Sequence, residues 1–146
     1  VVFGFVRIGA ASSAGGFVRE SQAFAAQAVT GLMAIEEQLA GLSQQGKRVA
    51  IWGGTGKSAA FMCRYGVDAE RFPLVVDSDA AKVGTFVPGT GQEMRSRDWL
   101  KDNAVDVIII PPQWRAADIV SEMKSAGIAV DQVLIEHQGR LIPFAP

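Results

Sequence analysis

Residues 49–58 read Val49-Ala50-Ile51-Trp52-Gly53-Gly54-Thr55-Gly56-Lys57-Ser58. An apolar run enters a glycine-rich turn, and a helix-compatible stretch follows it. The next apolar run, Phe72–Val76, closes on an acid, Asp77. A continuous apolar run without polar alternation suits a strand buried on both faces, as in a parallel sheet. Strand, glycine turn, helix, strand and carboxylate in that order form the layout of a nucleotide-binding βαβ unit. The expectation is an α/β fold whose working edge lies at the carboxyl ends of the strands.

The turn itself carries the most chemistry. Gly54-Thr55-Gly56-Lys57-Ser58-Ala59 fits G-x-G-x-x-A, and Asp77 ends the next strand 23 residues after Gly54. Glycines let backbone approach a phosphate, and a helix N-terminus adds free N–H groups and partial positive charge. On this reading Gly53, Gly54, Thr55 and Gly56 line an anion site. Lys57 adds charge, and Thr55 or Ser58 adds a hydroxyl donor. The competing reading is that the glycines only make a tight strand–helix turn. Asp77 either accepts from a ribose hydroxyl or caps the following turn. Gly56-Lys57-Ser58 also looks like the end of a P-loop, but that motif needs glycine where Ile51 stands, so ATP hydrolysis is excluded.

Working outward, four strands are expected at Arg48–Trp52, Phe72–Val76, Val105–Ile110 (stopped by Pro111-Pro112) and Val130–Ile135, with Gly139–Phe144 as a short fifth. Between them lie a helix over Thr55–Tyr65, a loop over Lys82–Gln92, a short helix over Ser96–Asn103 with Ser96 as N-cap, and a helix over Trp114–Ala126 ended by Gly127. Ala117, Ile119, Val120 and Met123 are expected to face inward there. Ahead of the first strand, Phe24, Ala28, Leu32, Ile35, Leu39 and Leu42 recur at spacings of three and four, predicting a long helix over about Arg19–Gln45 with one apolar face. Together these give a Rossmann-like parallel sheet of four to five strands with flanking helices, preceded by a long N-terminal helix. Lys82 and Pro88-Gly89-Thr90 follow the second strand on the carboxyl edge, and Trp114 and Arg115 follow the third. An indole there can stack on a base and a guanidinium can clamp phosphate. His137, after the fourth strand, is a weak candidate base without a visible partner.

Composition bounds the remaining classes. The chain has 146 residues, 49% hydrophobic and 20% charged, with a formal net charge of −1. That is one globular domain, with no charge excess pointing to nucleic acid or an anionic membrane. The longest apolar runs are far short of the ~20 residues of a membrane span. A lone Cys63 fits a reducing cytoplasm and reads as a small buried hydrophobe. One cysteine and one histidine build no zinc site. Residues 1–18, with Ala10-Ala11-Ser12-Ser13-Ala14-Gly15-Gly16, read as a linker or lead-in containing a strand candidate at Val2–Ile8; residues 19–146 read as the single domain. The opening Val1-Val2-Phe3 has no initiator Met, so the chain is expected to be a fragment of a longer protein.

Several of these stretches carry a resemblance. Gly53-Gly54-Thr55-Gly56-Lys57, Val75-Val76-Asp77 with Lys82-Val83-Gly84, Pro88-Gly89-Thr90 and an Asp106-led strand ending near Trp114 resemble the C-terminal domain of sugar C-methyltransferases. That family's corresponding stretches resemble Y-G-A-x-x-K-G, V-V-D-x-x-x-x-K-x-G, P-G-T and D-x-x-x-x-x-x-W-N. Here Trp52, Ser58 and Arg115 stand where the family has Tyr, Gly and Asn. The resemblance implies a Rossmann-like domain that helps hold a nucleotide-linked sugar, working with an upstream methyltransferase domain that uses S-adenosylmethionine. No cofactor is expected in this chain itself. Two alternatives remain open from the residues alone: an NAD(P)- or other dinucleotide-binding domain, and a degenerate Rossmann domain used for assembly through the long helix.

Overall fold

The computed structural model describes residues 14–144. Helix α1 (Ala14–Gln44) leads into β1 (Val49–Trp52), α2 (Lys57–Arg64), β2 (Leu74–Asp77), β3 (Met94–Ser96), β4 (Val107–Ile110), α3 (Ala116–Ala126), β5 (Gln132–His137) and β6 (Arg140–Pro143). Short 3₁₀ turns at Arg97–Lys101 and Gln113–Arg115 precede β4 and α3. The six strands form one sheet in the order β3-β2-β1-β4-β5-β6. All neighbours pair parallel except β5 and β6, an antiparallel hairpin. Its turn is Gln138-Gly139, both at positive φ, the backbone that a two-residue hairpin turn demands.

The α/β class and the long leading helix match expectation. The strand count rises to six because β3 is a strand of three residues, Met94-Arg95-Ser96, with no apolar run to announce it. It forms where β2 offers a free edge, pairing Val75 with Met94 and Asp77 with Ser96. Ser96 does act as the expected N-cap, its hydroxyl accepting from the Asp98 amide at 3.3 Å. The helix it caps is a 3₁₀ turn, where a hydrogen bond and the charge of Lys101 hold the Asp98 carboxyl below its ordinary pKa. Helix α1 begins at Ala14, inside the stretch read as lead-in. The strand candidate at Val2–Ile8 lies outside the described residues.

Alternate residues along each strand feed two cores. Val49, Ile51, Val75, Val107 and Ile109 pack against Ile35 and Leu39 of α1 and Phe61 and Met62 of α2. Ala50, Trp52, Val76, Ile108 and Ile110 pack on the other face against Leu100 and, from α3, Ile119, Val120 and Met123. Three expectations about burial fail. Phe24 is 74% exposed, because the sheet ends beneath α1 before that turn is reached. Ala117 faces solvent and Ala116 is buried in its place, since α3 starts after the 3₁₀ turn and its inward face is set from there. Cys63 is exposed, on the outer side of α2. At the sheet's edge, Gln38 closes β6: its amide donates to the Leu141 carbonyl at 2.7 Å and accepts from the Leu141 amide at 2.8 Å.

This topology positions the site. From β1 the chain moves one way to β2 and β3, then returns past β1 to β4 and β5. The carboxyl ends of β1 and β4 therefore flank the point where strand order reverses, the crevice where ligands collect in open α/β sheets.

Candidate functional site at the strand-order switch point

A cavity of about 420 Å³ opens at that crevice. Trp52, Gly53, Thr55, Lys57 and Ser58 line it from β1 and its turn, Asp77, Ser78, Asp79 and Lys82 from the end of β2, and Pro112, Trp114, Arg115 and Ile119 from the end of β4 and α3.

The turn after β1 is built tightly. Gly53 has φ +91°, and a Cβ there would stand 2.8 Å from the Ser58 hydroxyl. Its amide donates to the Val76 carbonyl at 2.7 Å. Ser58 is buried and its hydroxyl donates to the Trp52 carbonyl at 3.2 Å, so this hydroxyl ties the turn together. Gly56, at φ +56°, is the N-cap of α2 and supplies no side-chain cap. A Cβ on Gly56 would meet nothing within 4 Å, so the helix N-terminus is approachable from outside.

Three cations surround the cavity, each with an acid beside it. Lys57 Nζ lies 3.2 Å from Glu136 Oε2, hydrogen-bonds Gln113 Oε1, and sits 5.2 Å from the centre of the Trp114 ring. Lys82 Nζ is 3.3 Å from Asp77 Oδ2 and 3.7 Å from Asp79 Oδ2. Arg115 Nε is 3.6 Å from Asp118 Oδ2, a pair so exposed that a ligand can displace it at little cost. Asp77 caps the turn that follows it: its Oδ1 accepts from the Asp79 amide at 2.9 Å, while Oδ2 faces Lys82. Trp114 stands 67% exposed at the rim, with the Lys57 ammonium over its ring. Neither histidine nor cysteine lines the cavity. Cations in this setting can exchange carboxylate partners for the oxygens of an anion, beside an aromatic face.

The structure thus brings together Gly53, Thr55, Lys57, Ser58, Asp77, Lys82, Trp114 and Arg115. The other expected residues lie elsewhere. Gly54 is buried against protein: a Cβ there would overlap the Met94 side chain and stand 3.2 Å from Val87 Cγ2. Gly56 borders the turn without lining the cavity. Pro88, Gly89 and Thr90 pack beside the outer side of α2, where Cys63 Sγ is 3.5 Å from the Pro88 carbonyl and a Cβ on Gly89 would stand 2.6 Å from that sulfur. His137 is exposed at the end of β5, opposite Arg140, and lines no part of the cavity. Sequence reasoning missed Ser78 and Asp79, which continue past β2 on the same edge and follow from the position of Asp77. It also missed Glu136 and Gln113 as the groups that hold Lys57, which only the pairing of β4 with β5 brings near α2.

Among the described residues, no helix is long and apolar enough to cross a membrane. No curated protein sequence matches the chain. Among solved structures, the chain is similar to UDP-D-quinovosamine 4-dehydrogenase from Vibrio fischeri, with 14% identity and a TM-score of 0.47, over 68% of this chain and 93% of that one. Residues 17–136 match the family described as C-methyltransferase C-terminal domain. That match takes in α1, the glycine turn, all three cations and most of the sheet, and the chain belongs to the C-methyltransferase C-terminal domain family.

Proposed function

We propose that the cavity between β1 and β4 holds the nucleoside diphosphate of a nucleotide-linked sugar, presenting that sugar to a methyltransferase domain outside this chain. The observation that carries the reading is the placement of Lys82 and Arg115 around a cavity at the switch point, with Trp114 exposed beside them. The two cations suit the diphosphate, Trp114 gives the base a stacking face, and the uncapped start of α2 adds amide donors. Family membership supports the sugar as the group carried.

The family implies a separate catalytic domain, so the methyl donor, S-adenosylmethionine, is assigned to that domain and no step of methyl transfer runs through these residues. The setting proposed is the cytoplasm. The dinucleotide alternative draws less support, because the family matched is that of C-methyltransferases.

Calorimetric titration with dTDP tests the proposal. A charge-assisted hydrogen bond contributes about 1.5–3 kcal/mol, so Lys82→Met and Arg115→Met should each weaken binding by about 10-fold or more. Base stacking on an aromatic ring contributes about 1–3 kcal/mol, so Trp114→Ala should cost a comparable factor. Binding that none of the three substitutions changes would refute the assignment.

A further inference from the structure

The N-terminal half of α1 presents a face complementary to itself. Phe17, Glu20, Phe24, Ala28 and Gly31 recur at spacings of three and four and share one side of the helix. Further along, the same side turns into the core at Ile35 and Leu39, both fully buried. At Phe17 and Phe24 it is 64% and 74% exposed. Beside Phe24, Ala28 and Gly31 lies a cleft of about 480 Å³, closed on its far side by Arg64, Tyr65 and the β5–β6 turn. Its floor is bare backbone where Gly31 meets Gly139: a Cβ on either would stand within about 3 Å of the other's Cα, at 3.0 and 2.8 Å.

Charges bracket this cleft unevenly. Arg64 reaches the Ala28 carbonyl at 3.4 Å and has no carboxylate within ion-pair distance among the described residues. Glu136 in the cleft wall is already paired with Lys57 at 3.2 Å. Glu20 is exposed one turn before Phe24 and likewise lacks a cation among the described residues.

We propose that α1 pairs antiparallel with α1 of a second copy of this chain, about a two-fold axis at Phe24. Phe17 and Gly31 lie seven residues either side of Phe24, and Glu20 and Ala28 lie four either side. An antiparallel pair centred on Phe24 therefore sets each Phe17 over the other copy's Gly31, at the mouth of the cleft. It sets each Glu20 beside the other copy's Ala28, where Arg64 waits. The contact is isologous: the same patch serves both copies, and it closes on itself at two. Among the described residues Glu20 and Arg64 are the acid and the base of this face without an ion-pair partner, so each copy completes the other's pair. This inference stands apart from the nucleotide site, since neither Glu20 nor Arg64 lines the cavity between β1 and β4.

Sedimentation velocity across a wide concentration range tests it. The parent chain should show a monomer–dimer equilibrium. Glu20→Arg alone and Arg64→Glu alone each place like charges together and should weaken the dimer by about 10-fold or more. The double variant E20R/R64E restores opposite signs and should recover dimerisation to within about threefold of the parent. Phe24→Glu should abolish it. Unchanged helix content by circular dichroism identifies loss of pairing as distinct from unfolding, and if Phe24→Glu fails to fold, the charge-reversal set decides alone. A chain that stays monomeric at every concentration, its face reserved for some other protein surface, would overturn the proposal. So would a dimer that the double reversal fails to restore.

Discussion

Gly54 shows how one residue type can serve a different purpose from the one its motif suggests. In a dinucleotide fingerprint the first glycine allows the tight turn. Here it also yields its space to Met94, which is buried and fills the volume a Cβ would take. Gly54→Ala should therefore destabilise the fold by about 1–3 kcal/mol, the usual cost of overpacking a core, in urea unfolding. In a Met94→Ala background the same substitution should cost less, since the clash is with that side chain. Lys57 was legible as a charge at the glycine turn, but its partners were not. Glu136 is 79 residues away in sequence and approaches only through the sheet. Because Glu136 neutralises Lys57, Glu136→Gln should free that charge for an anion and tighten dTDP binding several-fold by calorimetry. An unchanged or weakened affinity would show that Lys57 takes no part.

At the scale of elements, the buried strands were readable because each carries a run of apolar residues, and α2 and α3 because glycines and periodicity bound them. What escaped was set by neighbours. Strand β3 owes its existence to the free edge of β2, and the exposure of Phe24 depends on where the sheet stops beneath α1, neither of which local spacing encodes. Gly31 illustrates the same point with a sign. In an exposed helix, Gly→Ala should stabilise by about 0.5–1 kcal/mol. Here the added Cβ would stand 3.0 Å from Gly139 Cα, and backbone cannot move aside as a flexible side chain can. Gly31→Ala should thus lower the thermal midpoint; a rise would mean that the α1–hairpin contact is loose. Gln38→Ala removes both hydrogen bonds to Leu141 and should cost about 1–3 kcal/mol, with faster hydrogen exchange at the Leu141 amide as its local signature.

For the whole molecule, strand order does what no single motif can. The reversal between β1 and β4 gathers residues from three separate stretches, the glycine turn, the segment after Asp77 and the segment after Pro111-Pro112, into one cavity. Reading the sequence as a parallel sheet with a working carboxyl edge located most of that cavity. It also placed Pro88-Gly89-Thr90 and His137 there, because proximity to a strand end does not tell which side of α2 a loop will take. The nucleotide-sugar reading depends on the cavity accepting a diphosphate through its cations. The most direct measurement is calorimetric titration of the parent chain and Lys82→Met with dTDP, in parallel with NAD. The account predicts that the parent binds dTDP and not NAD, and that Lys82→Met weakens dTDP binding by about 10-fold or more. Binding of NAD alone, or dTDP binding untouched by the substitution, would contradict it.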